Sequence, residues 1–215
     1  MSRSFQTYLP LLWILVIPVL NIFYGILNGN HGQVSSLMTD LDAAIPFVPG
    51  FIIPYLIWYP FIIFMLVVFC IKDKSVYYRI LFTQCISLIV CYMIYYLFQT
   101  TVPRPLIPGE GVLYRLVNFV YSTDNPYNCF PSIHVLTSYL MIKGAAVCPG
   151  LYARARLVVN LCAWSIICST LFVKQHVLLD AAGAIALVEI LWYLMFRLPS
   201  RHSLLYKGEE IREEH

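Results

Sequence analysis

The chain has 215 residues, of which 60% are hydrophobic and 12% charged, with a net charge of +3 and a mean hydropathy of +0.75. Soluble domains carry about twice that share of charge, so the composition excludes a water-soluble globule, a disordered chain and a nucleic-acid binder. Of the seven cysteines, Cys70, Cys85, Cys91, Cys148, Cys162 and Cys168 lie in apolar runs and only Cys129 in a polar stretch, which gives neither a disulfide framework nor a CxxC metal spacing.

A membrane-crossing helix needs about 20 mostly apolar residues. Six stretches qualify: 8–28, 52–71, 78–99, 133–149, 156–174 and 177–196. The first follows Arg3, but it is longer than a signal-peptide core and no small-residue cleavage site follows it, so it reads as a retained helix. The fourth and fifth contain Ser, Thr and Asn and are expected to line the bundle rather than face lipid. The last two are joined by a tight hairpin. The pattern predicts an all-α polytopic membrane protein, a six-transmembrane-helix bundle filling residues 1–215 as a single domain, with no internal repeat.

Charge placement sets the orientation. Arg3, Lys72, Lys74, Arg79, Lys143, Arg154, Arg156, Arg197, Arg201, Lys207 and Arg212 fall at one set of helix ends, and only Arg104, Arg115 and Lys174 at the other. Both termini are therefore expected in the cytoplasm, with Leu198–His215 as a solvated tail and three loops facing outward.

In the first outer loop, about Asn28 to Gly50, the half from Leu41 to Phe51 is expected in the membrane interface. In the second, Thr100 to Pro131, the residues Leu113, Leu116, Val117 and Val120 fall at helical spacing. They predict a short interfacial helix over Val112 to Tyr121. The third is the turn at Lys174-Gln175-His176.

Polar residues at membrane depth are costly and mark functional sites by default. Arg104, Ser132, His134, Lys174, His176 and Asp180 come from three segments but share one depth, the outer ends of the spans. His176 and Asp180 stand four residues apart on one helix face. There a carboxylate fixes one ring nitrogen and leaves the other as nucleophile or base. His134 adds a second imidazole able to give a proton. Two histidines with cations suit an anionic substrate with a poor leaving group, as in phosphoryl transfer.

Plainer readings compete. The His–Asp pair also suits a structural helix end, Ser132 a helix cap, and Arg104 and Lys174 lipid-headgroup snorkelling. Zinc on His134, His176 and Asp180 is a further alternative that no first-pair ligand spacing supports. Glu189, nine residues past Asp180, faces the opposite side and reads as structural, paired with a neighbouring helix. Trp13, Trp58, Trp164 and Trp192 read as interfacial belts and packing.

Three segments carry a family resemblance. Arg104-Pro105, Pro131-Ser132-Ile133-His134, and Ser169-Thr170 followed by five residues, His176, three residues and Asp180 resemble the signature segments of the type 2 phosphatidic acid phosphatase superfamily of membrane lipid phosphatases. The resemblance covers nearly the whole chain. It implies a six-span fold and metal- and cofactor-independent chemistry. His176 would form a phosphohistidine, Asp180 orient it, and His134 protonate the leaving group. Arg104 and Ser132 would bind phosphate, with Ser169 in support. Leu97, Ile133 and Thr170 stand where the family has Lys, Gly and Arg, and Lys174 is expected to replace one of the two missing cations as a phosphate ligand.

The resemblance implies a metal-independent integral membrane lipid phosphatase, acting in the bilayer on phosphatidic acid, phosphatidylglycerol phosphate or a polyprenyl diphosphate. The Lys-Gln-His and Phe-Pro-Ser-x-His variants resemble the inositol phosphorylceramide synthase branch, which makes a lipid phosphotransferase the alternative. A transporter or an inactive relative is the non-enzymatic one. The site is expected on the outer side, extracellular, periplasmic or luminal.

Overall fold

Asp73 joins two long helices through a single residue. Its carboxylate accepts from the amides of Ser75 (2.8 Å) and Val76 (3.0 Å), which pairs two of the next helix's free starting donors. The computed structural model describes residues 8–30, 32–107 and 109–197. Arg3, Arg201, Lys207, Arg212 and the tail Leu198–His215 lie outside the described residues.

A 3-10 segment, Leu9–Leu15, leads into α1 (Val16–Leu27). Then come β1 (Ser35–Ser36), α2 (Asp40–Ala44), a 3-10 turn at Pro49–Phe51, α3 (Ile52–Lys72) and α4 (Lys74–Leu97). The chain continues through β2 (Thr100–Thr101), α5 (Val112–Thr123), α6 (Ile133–Val147), α7 (Ala153–Phe172) and α8 (Leu178–Trp192), ending in a π turn at Tyr193–Arg197.

All six expected apolar segments are helical, yet five of them are long and apolar enough to cross a membrane. The exception is α6. Ser132 caps its start, with Oγ accepting from the Val135 amide at 3.4 Å, and the chain leaves the helix at Cys148, ahead of Pro149. Its 15 residues reach about 22 Å, against about 30 Å of hydrocarbon. As expected, α6 lines the interior: Val135, Leu136, Leu140 and Met141 are fully buried, and it packs against α3, α4, α7 and α8. A Cβ at Gly144 would come within 2.8 Å of Phe69, so α6 approaches α3 more closely there than a larger residue permits. The fifth apolar segment departs from expectation. α7 buries Ala163, Ile166 and Ile167 but exposes Leu157, Val158, Leu161 and Trp164, so one face lines the bundle and the other is an apolar outer surface.

The core runs through Phe69 and Met65 of α3, Tyr77 and Ile80 of α4, Leu140 and Met141 of α6, Ile166 of α7 and Val188 of α8. Glu189 pairs with Lys143 of α6 at 2.8 and 2.9 Å and accepts from the Tyr139 hydroxyl at 2.5 Å, the neighbouring-helix partner expected for it.

At the opposite end the connecting loops interlock. β1 and β2 pair in parallel, Ser35 with Thr100 and Ser36 with Thr101, and Thr101 bridges to Tyr127. The helix expected over Val112 to Tyr121 forms, but its stripe does not lie free at an interface. Val117 and Val120 are buried against Ile52, Tyr55 and Val173, so α5 packs down on the ends of α3 and α7.

Candidate active site

The site is built where α6 begins and where the turn between α7 and α8 folds back. Lys174 takes a left-handed conformation (φ 53°), which ends α7. The amides of Gln175 and His176 then both donate to Thr170 O, at 2.9 and 3.1 Å. This places His176 just ahead of α8. Asp180, in the first turn of α8, accepts through Oδ2 from the Val177 amide (2.9 Å) and faces His176 Nδ1 at 3.3 Å. With its proton on Nδ1, His176 keeps the Nε2 lone pair for chemistry.

The Pro131–His134 segment is tied to the same turn. The Ser132 amide donates to Asp180 O (3.2 Å), and the Tyr95 hydroxyl holds Pro131 O (2.6 Å). A Cβ at Gly183 would fall 2.3 Å from the Phe130 ring, so only glycine lets this loop lie so close on α8. The His134 ring then stands 5.8 Å from the His176 ring, centroid to centroid. Tyr55 (4.6 Å) and Trp58 (4.0 Å) of α3 stack against it, and Trp58 Nε1 is anchored on Thr137 Oγ1 at 2.8 Å. Trp58 therefore packs on a site histidine, beyond the belt or packing role expected for it.

His134, His176 and Arg104 line a common cavity of about 560 Å³, with Tyr55, Trp58 and Gln175. Among the described residues Arg104 is its one Lys or Arg. The guanidinium donates to Tyr121 O (3.1 Å), Asp124 O (2.7 Å) and Gln175 Oε1 (2.6 Å), and it lies 4.6 Å from the centroid of the Tyr121 ring. Its Nε is buried without a partner among the described residues, leaving a charged donor for an anion. Burial pushes the Tyr121 hydroxyl up to about 12 despite the adjacent Arg104 charge.

The other expected residues sit around this cavity rather than on its lining. Asp180 and Ser132 are fully buried behind the histidines. Ser169 is also buried and donates to Ile166 O (2.6 Å), inside its own helix. Lys174, expected to replace a missing family cation, donates to the carbonyls of Asp42 (2.9 Å) and Ile45 (2.5 Å), and so ties the α7–α8 turn to the segment Asp42–Ile45.

Several partners escaped the sequence reading: Tyr55, Asp42, Asp124, Gln175 and Cys129. Gln175 had a signal, since it lies between two residues already singled out. Cys129 had one too, as the only cysteine outside an apolar run. Ligand atoms of Cys129, His176 and Asp180 lie within 4.8 Å of one another, a set able to hold a metal ion. Burial raises the Cys129 thiol above its ordinary pKa, which disfavours the thiolate a metal prefers.

A helical bundle with five membrane-length helices is a multi-pass membrane protein in its architecture, here with two histidines, a buried carboxylate and an arginine gathered at one end. Residues 29–194 match the model of the PAP2 superfamily, and the chain belongs to this superfamily, the type 2 phosphatidic acid phosphatases that its motifs resemble. Membership supports a phosphatase-type activity, that of a phosphoric ester hydrolase in general. No curated protein and no solved structure matches the chain.

Proposed function

We propose that the protein is a lipid phosphate phosphatase working through a phosphohistidine. The observation carrying this reading is the His176–Asp180 contact beside a second histidine on a cavity that holds an arginine. His176 Nε2 attacks phosphorus while Arg104 holds the equatorial oxygens. The P–O bond to the lipid breaks, and its oxygen leaves with a proton from His134. Water then attacks the phosphohistidine, giving its proton to His134, and the P–N bond breaks to release phosphate. No metal enters either step. Ser132 and Asp180 fix the backbone and ring that present His176.

A lipid substrate is supported by a second cavity of about 130 Å³, which shares Asn21, Trp58, Tyr59 and Ile133 with the first. It continues past Ile17, Ile62 and Leu88 into the bundle, an apolar recess suited to the first methylenes of a hydrocarbon chain. We further propose six spans over a single domain, with α6 crossing in the bundle interior. The distribution of basic residues supports cytoplasmic termini and a site facing outward. Lys72 and Gly150 are in contact, so the loops at the basic end gather away from the site.

The test is phosphate release by purified protein, without added metal, from phosphatidic acid, phosphatidylglycerol phosphate and a polyprenyl diphosphate. Release from at least one lipid, abolished in His176→Ala, with label trapped on His176 by acid-free quenching, is the expected result. Release from none, or undiminished release by His176→Ala, sinks the reading.

A further inference from the structure

Four buried side-chain atoms, on residues that line the cavity of about 560 Å³, have no hydrogen-bond partner among the described residues: Arg104 Nε, Gln175 Nε2, Asn128 Nδ2 and Asn28 Oδ1. Their chemical identities are fixed by what the other end of each group does. Gln175 Oε1 accepts from Arg104 at 2.6 Å, so the free end of Gln175 is a donor. Asn128 Oδ1 accepts from Gln99 at 3.1 Å, so its free end is a donor too. Asn28 Nδ2 donates to Asp124 Oδ1 at 2.8 Å, which leaves the carbonyl oxygen free as an acceptor. Buried polar groups are rarely left unpaired.

The four divide by position. Arg104 Nε and Gln175 Nε2 belong to the group beside His176 and are donors only, as a phosphate requires. Asn28 Oδ1 stands with the Asp124 carboxylate, which also accepts from the Tyr24 hydroxyl at 2.9 Å. The Asn125 side chain donates to Asn28 O at 2.8 Å and holds that backbone in place. This wall accepts hydrogen bonds and carries negative charge. It repels a second phosphate and suits the O–H donors of an alcohol, while Asn128 Nδ2 offers a donor to a hydroxyl oxygen. Arg104 connects the two regions, bonded to Gln175 on one side and to Asp124 O on the other.

We propose that Asn28, Asp124 and Asn128 form a hydroxyl-recognising subsite, and that the phosphate handled at His176 is a monoester on a polyhydroxylated headgroup. The wall then selects against a diphosphate and against a lipid phosphate lacking headgroup hydroxyls. This deepens the phosphatase reading above and rests on it for the reaction, but its binding test is independent of turnover.

Glycerol 1-phosphate and propyl phosphate share a carbon skeleton and differ in hydroxyls alone. Their affinities for the full chain in detergent micelles are read by saturation-transfer NMR, alongside phosphate release from the lipid panel. The expected result is binding of glycerol 1-phosphate about 10-fold tighter or more, with the ratio falling towards one in Asn28→Ala and in Asn128→Ala. Asn28→Ser, which keeps an acceptor oxygen, should restore part of the preference and covers the case in which Asn28→Ala does not fold. Equal affinities in the wild type, binding of neither compound, or a ratio unmoved by both alanine variants overturns the proposal. A hydroxyl preference in binding with no phosphate released from any lipid would support the subsite and sink the phosphatase reading instead.

Discussion

Asp42 Oδ1 accepts a 2.7 Å hydrogen bond from the amide of Leu178, two residues past His176 and at the first position of α8. A carboxylate at a helix start meets unpaired amides and the positive end of the dipole. The other oxygen of Asp42 accepts from the Thr39 amide and hydroxyl, at 2.9 and 2.6 Å. Burial alone would raise this carboxyl. The hydrogen bonds from the Thr39 side chain and from the Leu178 and Thr39 amides, with the Lys174 charge, outweigh it and hold the pKa below the ordinary value. A carboxyl depressed in the folded state contributes stability above its unfolded pKa, about 3.9. That stability is lost as pH falls through the lower folded value. Asp42→Asn should therefore lower Tm at pH 7, by the several degrees that about 1–3 kcal/mol represents. It should also flatten the acid-side decline in stability expected of the wild type below about pH 5. Parallel Tm–pH curves for the two proteins would contradict this.

Lys174→Met separates two roles for one charge. The family resemblance implies a phosphate ligand at Lys174, yet its Nζ lies on the carbonyls of Asp42 and Ile45. Methionine keeps the stem and removes the donors. Tm should fall by several degrees while KM for a lipid phosphate stays within about twofold, because the lost bonds are worth about 1–3 kcal/mol and none reaches the cavity. A KM raised about 10-fold or more with Tm unchanged would return Lys174 to the phosphate.

Arg104→Lys tests the guanidinium as a shape rather than a charge. Arg104 meets three acceptors on two segments, the α5 C-terminus and the turn at Gln175, and keeps Nε for an anion. A lysine ammonium has the charge but no planar fork to span them. Phosphate release should drop about 10²-fold, the scale of losing a preorganised anion donor. Tm should fall as well, since Gln175 and the α5 C-terminus lose their common partner. Activity within about threefold of wild type would show that charge alone suffices.

The helices and four positions of the candidate site are legible in the sequence because each depends on local pattern. Apolar runs set the spans, and Arg104, His134, His176 and Asp180 stood out as polar groups at one depth. What escaped depends on packing between distant segments. Lys174 and Arg104 have the same charge and depth. Which one turns inward is decided by the left-handed backbone at Lys174 and by the carbonyls of Asp42 and Ile45 waiting for its ammonium. The apolar stripe of α5 suits a lipid interface and a protein surface equally, and Ile52, Tyr55 and Val173 claim it. Trp58 carries the amphipathic signature of a belt residue but meets Thr137, 79 positions away. The apolar run continues through Cys148, so it extends past the end of α6 at Val147.

Trp58→Phe probes how firmly His134 must be held. The His134 ring is in contact with both Tyr55 and Trp58, and Trp58 is itself fixed by its Nε1 bond to Thr137 Oγ1. Phenylalanine retains an aromatic face but loses that anchor, at a cost of about 1 kcal/mol in stability. A general acid displaced by a fraction of an ångström slows proton transfer more than it weakens binding. If His134 protonates the leaving oxygen, formation of the phosphoenzyme should slow about 10-fold while KM moves less than threefold. Rapid quenching of labelled substrate on His176 reads that step directly. The companion variant Thr137→Val removes the same anchor while leaving the indole in place, and should give a smaller slowing of the same step. A Trp58→Phe protein with wild-type phosphoenzyme formation would show that Tyr55 alone positions the ring.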